Sequence, residues 1–418
     1  MTYFWEIIGV ILLCYLLLKF IKKLGNDLPI LEFMLLICFF QWYLSPLISY
    51  NSKTQHFKYY MYVDQAYYFS FVVPALFLFT FALSKIKTLK VDELLPRLEA
   101  CSNLGKPIIV IGLISTILNS FVPASLSFVF FILSSMKYVG LSILLFSTIK
   151  TDLFWIIGVF AILVFHSLAI GMFHELMLWG IFFFMIWSYR KKPSLAIKLS
   201  FITVGLFSIM VLQSIKYEYR SNVWNNYAES KLDLALNLIN KELDSGIIKN
   251  EKEDQSTNDR LNQGWIISAV MLHTPKYVDY AHGQTIFAAL FSNLLPRFLS
   301  PNKDVVGGQT NFKKYTGLEL DEKTSMSINI LGEAYANFGV TGAIFFMGLW
   351  GVFLKLFWGK LVQLTIDHPI LFFFIPLIFL QVVKAEIELA VVLNHLVKTS
   401  LSVALFLWFG KNKLKWEI

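Results

Sequence analysis

The chain has 418 residues, of which 56% are hydrophobic, including 40 phenylalanines. No soluble core is large enough to hide that much apolar surface, so the composition excludes a soluble protein and predicts a polytopic membrane protein. The formal net charge is +8, yet residues 216–335 hold 13 basic and 15 acidic residues. The positive excess therefore lies in the short connections and the tail, which is typical of topology signals and gives no indication of nucleic-acid binding.

Apolar runs of roughly helix-spanning length predict about eleven transmembrane helices. In chain order they fall at about residues 3–20, 28–50, 62–83, 107–121, 126–148, 153–170, 172–189, 195–215, 336–358, 369–386 and 389–409. The first run is followed by Lys22 and Lys23 without a small-residue cleavage site, which predicts a retained helix and not a signal peptide. A tight turn near Gly171 separates the sixth and seventh runs, which are the least secure pair of spans.

Lysines and arginines predict the orientation of these spans. With eleven spans, the connections at 22–23, 85–106, 150, 190–192 and 360 and the C-terminal tail share one side, which the positive-inside tendency assigns to the cytoplasm. Lys53 and Lys58 lie on the opposite side and count mildly against this assignment. The chain then divides into an N-terminal bundle of about eight helices (1–215), a large outward loop (216–335) and about three C-terminal helices (336–418).

The outward loop of about 120 residues is too long for a simple connection. Its apolar residues Trp224, Ala228, Leu232, Leu236 and Ile239 recur at helical spacing, which predicts an amphipathic helix lying on the membrane or on the bundle. The polar run 249–260 predicts a solvated tip, and the semi-apolar run 283–298 predicts a return to the membrane surface. Neither this loop nor the placement of the three cysteines indicates a disulfide framework.

Three basic residues at the loop's boundaries are candidate phosphate ligands. Arg220 lies where the eighth span leaves the membrane, and Arg297 and Lys303 lie at the end of the returning stretch, beside Pro296 and Pro301. A guanidinium matches phosphate oxygens in bidentate geometry, so together these residues predict a phosphate clamp at headgroup depth. For any one of them alone, contact with phospholipid headgroups is the favoured interpretation.

The segment LGEAYANFGVTG, residues 331–342, opens the ninth span and holds Glu333 and Tyr335 at the same outer boundary. A carboxylate there can act as a general base, with its pKa raised by partial burial or lowered by Arg220 or Arg297. The alternative is an acidic residue favoured by a helix N-terminus, and spacing alone slightly favours that alternative.

The histidines do not form the spacing of a metal site. His166 and His174 stand in neighbouring spans, and His273 and His282 lie in the loop, but no HExxH-type spacing supplies a third and fourth ligand. We therefore predict no metal, and take His273 and His282 as candidate substrate-binding or proton-carrying residues near Arg297. Motifs for phosphate-binding loops, dinucleotides, GxSxG and CxxC are absent from the sequence, so no cofactor is predicted.

Lys384, Glu386 and Glu388 stand near the end of the tenth predicted span. Ionisable residues at membrane depth tend to be paired or functional. The alternative is that these three residues mark a short external turn.

The order of the loop motifs resembles one protein family. Four motifs occur in this order, the last of them entering a span: KYEYR, TP..Y....G.T, LPRFLSPNK and GEAYANFGVTG. The order is similar to that of the Wzy-type O-antigen and capsule polymerases of bacteria. The resemblance covers about 130 residues locally and extends to the span count. It implies a glycosyltransferase of the C-type membrane architecture (GT-C-like) in the bacterial inner membrane, with its large loop in the periplasm.

The resemblance also implies substrates, partners and site residues. Both the donor and the acceptor would be undecaprenyl-pyrophosphate-linked oligosaccharides, handled among membrane lipids, with a chain-length regulator and a flippase as partners and no cofactor. The family's motifs correspond to catalytic Glu333, Arg297 and Arg220 and to substrate-binding Lys303 and Tyr335. An arginine followed by ten residues and a glycine, found in some members, fits Arg297 only loosely and Arg220 not at all.

Three other functions stay open from the sequence. An O-antigen ligase has similar spans and a similar outward loop, and the order of the PR…K and GE.Y.NFG elements favours the polymerase over it. A non-enzymatic flippase or transporter usually shows internal repeats and polar residues inside the spans, whereas the ionisable residues here cluster in one loop and at span ends. A membrane scaffold whose loop binds a partner protein is the third.

Overall fold

A computed structural model describes residues 3–52, 59–89, 91–123, 125–225, 230–245, 261–292, 307–320 and 326–416. Within these ranges the regular secondary structure is helical and contains no β-strand. The helices are α1 (Phe4–Lys23), α2 (Ile30–Phe39), α3 (Ser45–Asn51), α4 (Gln65–Ala82), α5 (Val91–Ala100), α6 (Gly105–Leu118), α7 (Ser127–Leu144), α8 (Asp152–Ile170), α9 (His174–Lys191), α10 (Leu195–Trp224), α11 (Lys231–Ser245), α12 (Gly264–His273), α13 (Gln284–Ser292), α14 (Gln309–Thr316), α15 (Asn329–Asp367), α16 (Leu371–Phe379) and α17 (Leu389–Lys413).

Nine helical segments in the described part of the chain are long and apolar enough to cross a membrane. They are Phe4–Lys23, Ile30–Asn51, Gln65–Ala82, Glu93–Phe121, Ser127–Leu144, Asp152–Ile170, Leu195–Lys216, Asn329–Asp367 and Leu389–Lys413. The prediction of an all-α polytopic membrane protein is therefore confirmed, and each of the nine corresponds to a predicted span.

Two of the eleven predicted spans differ from this set. The run 172–189 forms α9, an 18-residue helix that starts with His174 and Glu175 and ends with Arg190 and Lys191. The run 369–386 is helical only in α16, whose nine residues rise about 14 Å, less than half the thickness of a bilayer core. The chain after α16 forms turns that are packed in protein: Trp42 Nε1 donates to the carbonyl of Ala385 at 3.2 Å.

The basic connections predicted to share one side do meet at one end of the bundle. The amide of Leu89 donates to Asp27 Oδ1 at 3.0 Å, and Tyr189 Oη donates to the carbonyl of Leu89 at 3.2 Å. Arg97 donates to the carbonyl of Asp367 at 3.3 Å, which joins α5 to the end of α15. We call this end, which carries residues 22–27, 85–106, 145–152, 190–192 and 366–368, the basic end.

The opposite end of the bundle, here called the loop end, carries α12, α13 and α14. The amide of Gln263 donates to the carbonyl of Gln41 at 3.1 Å, so the start of α12 packs on the second span. The amide of Tyr62 donates to Ser268 Oγ at 3.0 Å from the other side of α12. These helices belong to the main hydrophobic core, so this part of the predicted loop is folded onto the bundle.

The start of the predicted loop folds separately from α12–α14. α10 continues beyond the apolar window to Trp224, and α11 packs across it in a small second core formed by Phe173, Ile215, Tyr219, Val223, Ala235 and Leu238. Trp224 is therefore the last residue of α10 and does not belong to the amphipathic helix, which begins at Lys231. Ala228 lies outside the described residues.

Candidate functional site

Two buried carboxyl groups meet where α15 and α17 begin at the loop end. Glu333 lies in the first turns of α15 and is 1% exposed, and Glu388 precedes the first residue of α17 and is 0% exposed. Glu333 Oε2 accepts a hydrogen bond from the amide of Leu389 at 3.0 Å. Each acid thus accepts a backbone amide at the N-terminal end of the other acid's helix. The partial positive charge of helix N-termini favours this arrangement.

Glu388 accepts hydrogen bonds from three donors, two at the start of α14 and one just before α15. Its Oε2 receives the amide of Gly308 at 3.2 Å and Asn311 Nδ2 at 3.1 Å, and its Oε1 receives the amide of Ile328 at 3.2 Å. Gly307 has a φ of +86°, and a Cβ at that position would lie 2.2 Å from Glu388 Oε2. Glycine is therefore required for the backbone of 307–308 to close over this carboxyl group.

The two carboxyl groups influence each other electrostatically. Burial, and after it the nearby Glu333, raises the pKa of Glu388 to about 8, even though its three hydrogen-bond donors act to lower that pKa. A carboxyl group with a pKa near neutral can accept and return a proton under physiological conditions. Among the described residues, no cation lies within 4 Å of either carboxyl group.

Polar residues of α13 and α15 complete the surroundings of Glu333. Thr285 forms a side-chain hydrogen bond with Glu333, and Asn337 Nδ2 donates to Thr285 Oγ1 at 2.7 Å. Asn337 Oδ1 accepts the amide of Gly283 at 2.9 Å, and the Asn337 carbonyl accepts the amide of His282 at 3.1 Å. The network therefore joins Glu333 to the backbone of 282–283, beside the exposed His282 side chain.

Tyr335 lies two residues beyond Glu333 in a group of aromatic hydroxyls. Its hydroxyl oxygen is 3.0 Å from that of Tyr67, and its ring centroid is 6.2 Å from that of Tyr280. Tyr335 is buried, whereas 43% of Tyr67 is exposed. Gly339, with φ +64° and ψ −167°, interrupts α15 beside Tyr280 and separates the piece bearing Glu333 and Tyr335 from the long membrane helix 340–367.

Arg220 has a hydrogen bond and a ring contact outside the carboxyl pair. Arg220 Nε donates to the carbonyl of Gly171 at 2.7 Å, and its guanidinium lies 5.3 Å from the ring centroid of Trp224. These partners belong to α10 and the α8–α9 turn, whereas the partners of Glu333 belong to α13 and α17. Sequence reasoning therefore united residues that, in their described contacts, belong to two different parts of the loop end.

Of the other predicted site residues, some lie outside the described part of the chain and His273 lies at the end of α12. Arg297 and Lys303, with Pro296 and Pro301, lie outside the described residues. His273 ends α12 and stacks on Tyr277 at 5.2 Å, beside Gly317 at the end of α14. Asn311, near the start of the same helix α14, contacts Glu388, so about one helix length separates His273 from the carboxyl pair.

A second group of charged residues lies on the other side of the segment that ends in Glu388. Lys137, 7% exposed in the middle of α7, interacts electrostatically with Glu175, which also acts on Lys384. Glu386 Oε1 lies 3.7 Å from Nε2 of the half-exposed His174. Burial lowers the pKa of Lys384, so this group, like the carboxyl pair, contains a titratable residue shifted toward neutral pH.

Sequence reasoning missed several of these residues. Thr285, Asn311 and Asn337 carry no recognisable signal, because their role depends on which helices meet. Lys137 did carry a signal, since it is a charge inside the apolar run FVFFILSSMKYVG. In the described part of the chain, no three His, Cys, Asp or Glu side chains come together as metal ligands.

Comparisons with known proteins do not assign this site. No protein-family model matches the chain, and no curated protein and no solved structure matches it. The chemistry of the loop end therefore has to be argued from its own residues.

Proposed function

We propose that the protein is a glycosyltransferase that polymerises undecaprenyl-pyrophosphate-linked oligosaccharide repeat units at the loop end of the bundle. In this proposal it lies in a bacterial inner membrane, with the loop end facing the periplasm. One observation carries the proposal: in the buried pair, Glu333 contacts Thr285 of α13 and Glu388 contacts Gly308, and these two segments flank residues 293–306. Those 14 residues include Arg297 and Lys303.

The proposed reaction is a displacement at the anomeric carbon of the lipid-linked donor. The acceptor hydroxyl forms a bond to that carbon, and the bond from the carbon to the pyrophosphate oxygen breaks with its electron pair. The acceptor proton passes to a carboxylate, and negative charge collects on the pyrophosphate. This displacement needs a base on the acceptor side of the sugar and fixed cations at the leaving group.

The residues fit this division of roles. The carboxyl pair supplies the base, and Glu388 joins Glu333 as a candidate because its pKa of about 8 suits proton exchange near neutrality. Arg297 and Lys303 remain the predicted pyrophosphate ligands, since guanidinium and ammonium groups bind phosphate oxygens strongly. Tyr67, Tyr280 and exposed His282 offer rings and polar atoms to a sugar chain beside the pair.

The proposal is tested on the cell-surface polysaccharide ladder of a strain that lacks this protein. Wild type, Arg297→Ala and Glu333→Gln are expressed in that strain at matched membrane levels. If the protein is the polymerase, the deletion leaves single repeat units on the lipid core, and neither variant restores the ladder. Arg260→Ala, an arginine in the polar run of the same loop, is the matched control and should restore it.

The other outcomes separate the rival functions. Long chains that accumulate on the polyprenyl carrier without transfer identify an O-antigen ligase instead. Repeat units that never reach the outer face of the membrane identify a flippase. An unchanged ladder in the deletion strain would contradict any role in making this polysaccharide.

A further inference from the structure

α11 carries three faces of different chemistry. Ala235 and Leu238 are buried against α10, whereas Leu232, Leu236 and Leu243 are 46%, 48% and 45% exposed. At about 100° per residue these three leucines fall within about 40° of one another on the helix. A polar face formed by Asp233, Asn237, Asn240 and Asp244 follows beyond them.

The contacts of α11 fix the part of α10 on which it lies. The carbonyl of Lys231 accepts a hydrogen bond from Tyr219 Oη at 3.3 Å, and Lys241 Nζ lies 3.3 Å from Glu218 Oε2. Ten residues of α11, about 15 Å, thus separate two partners that are neighbours on α10. The shared core places α11 beside residues 215–223 of α10, so α11 crosses α10 at that height.

The crossing occurs at the edge of the bilayer. The apolar window of α10 ends at Lys216, and the side chains that α11 packs on are Ile215, Tyr219 and Val223. Only 6% of that window is buried, so α10 stands at the periphery with lipid on most of its surface. The exposed leucines are therefore at the height of the boundary between headgroups and acyl chains.

The surface of the leucine face continues into other apolar residues at the same height. Lys231 Nζ donates to the carbonyl of Ala169 at 2.9 Å, and Trp224 Nε1 donates to the carbonyl of Ile170 at 3.0 Å. Ile170, Met172 and Trp224 are 39%, 51% and 58% exposed. The chain that follows α11 is a poor cover for such a surface, because residues 246–260 contain only two large apolar side chains, Ile247 and Ile248.

We infer that α11 is an interfacial helix whose face of Leu232, Leu236 and Leu243 inserts into the lipid bilayer at the loop end. The partner is the apolar boundary of the lipid and not an anionic headgroup, because α11 has two basic and three acidic residues. This binding surface does not depend on the proposed activity.

The test labels single cysteines in lipid nanodiscs. Cys14 is exposed and is first replaced by serine, while Cys38 and Cys101 are buried. An environment-sensitive fluorophore is attached at Leu236→Cys or Leu243→Cys, with Asp233→Cys and Asn240→Cys on the polar face of the same helix as matched controls. Nitroxide carried on lipid acyl chains and iodide in the buffer then serve as the two quenchers.

The expected result is a blue-shifted emission at 236 and 243, lost with acyl-chain nitroxide and resistant to iodide, with the reverse at 233 and 240. The result should be the same in zwitterionic and anionic lipid. Iodide quenching at 236 and 243 would place the face in water and overturn the inference. Protection from both quenchers would also overturn it, because it would show a protein cover such as a second copy of the chain.

Discussion

The two ends of the bundle bury acidic residues in opposite ways. At the basic end the acids contact cations: Lys23 Nζ lies 3.1 Å from Asp27 Oδ2 and 3.0 Å from Glu32 Oε1, and Lys106 Nζ lies 2.6 Å from Asp152 Oδ1. At the loop end Glu333 and Glu388 are met by amide and hydroxyl groups, with no cation within 4 Å among the described residues.

This difference separates structural acids from candidate catalytic ones. Beside a buried acid, a cation opposes the rise in pKa that burial causes, and breaking such a pair costs stability. A buried acid without a cation has a raised pKa and can exchange protons near neutral pH, which is a property of functional sites. The basic end thus holds paired acids that join helices, and the loop end holds the candidate acid–base pair.

The largest effect is expected from Glu333→Gln. The amide keeps the size of the side chain and an oxygen for the amide of Leu389, and the Thr285 hydroxyl can accept as well as donate, so the fold should persist. If Glu333 takes part in proton transfer, polymer formation should fall about 10²–10⁴-fold. The measurement is the rate of chain extension by purified protein in nanodiscs. Full activity in a well-folded variant would mean that Glu333 acts only as a helix cap and takes no part in proton transfer.

Asp27→Ala tests the basic end with the opposite expectation. Asp27 Oδ1 accepts the amides of Leu28 at 2.9 Å and Leu89 at 3.0 Å, and both amides lose their acceptor in the variant. Two buried amides without partners should lower the free energy of unfolding by about 2–4 kcal/mol. Thermal unfolding followed by circular dichroism measures the loss. Activity per folded molecule should stay at the wild-type level, and a loss there would break the proposed separation between the two ends.

Part of this contrast was predictable from the sequence. Apolar runs and lysine placement predicted the helical bundle and the shared basic end, because span length and charge follow directly from the bilayer as solvent. GEAYANFG also indicated where Glu333 would lie. The pairing of Glu333 with Glu388 was not predictable, because they are 55 positions apart with α16 between them, and only packing decides which helix N-termini meet.

The contacts of Arg220 were not predictable for a similar reason. Sequence position sets Arg220 and Glu333 at the ends of the eighth and ninth predicted spans, but it does not say which side of the bundle a residue faces. Its contacts with Gly171 and Trp224 depend on α10 standing at the periphery. The run 369–386 shows the same limit, since its hydropathy is that of a span while its backbone is half helix and half turn.

The pH dependence of stability should come in part from the loop end. Because the folded pKa of Glu388 is raised to about 8, the folded state holds a proton that the unfolded state releases above its ordinary pKa near 4.5. The stability from this group is fully present below about pH 4.5 and is lost as pH rises through about 8. The midpoint of thermal unfolding should therefore fall over that window, and the fall should be smaller in Glu388→Gln.

Asp27 also contributes to the pH dependence of stability. Burial also raises its pKa, so it adds a slope of the same sign at the basic end. The informative quantity is the difference in slope between wild type and Glu388→Gln. Identical slopes would mean that Glu388 is ionised in the folded protein at neutral pH, and would remove the distinction drawn between the two ends.

The smallest effects are expected from a matched pair of glycines, one at each end. Gly25 has φ +84° and Gly339 has φ +64°, so alanine should cost about 1–2 kcal/mol at either position through backbone strain alone. Their surroundings differ. A Cβ at Gly25 would lie 3.2 Å from Lys192 Cα, which is backbone, whereas a Cβ at Gly339 would lie 3.0 Å from the hydroxyl of Tyr280, the far end of a side chain.

The two alanine variants should therefore separate stability from activity. Gly25→Ala meets a backbone that cannot move aside, so it should lower the unfolding midpoint and leave chain extension per folded molecule unchanged. Gly339→Ala can be relieved by a shift of Tyr280, whose ring neighbours Tyr335, so it should also reduce chain extension at a similar cost in stability. The pair is compared by unfolding midpoint and by product length from equal amounts of folded protein. Equal activities in the two variants would mean that the tyrosines at the loop end do not contact the substrate.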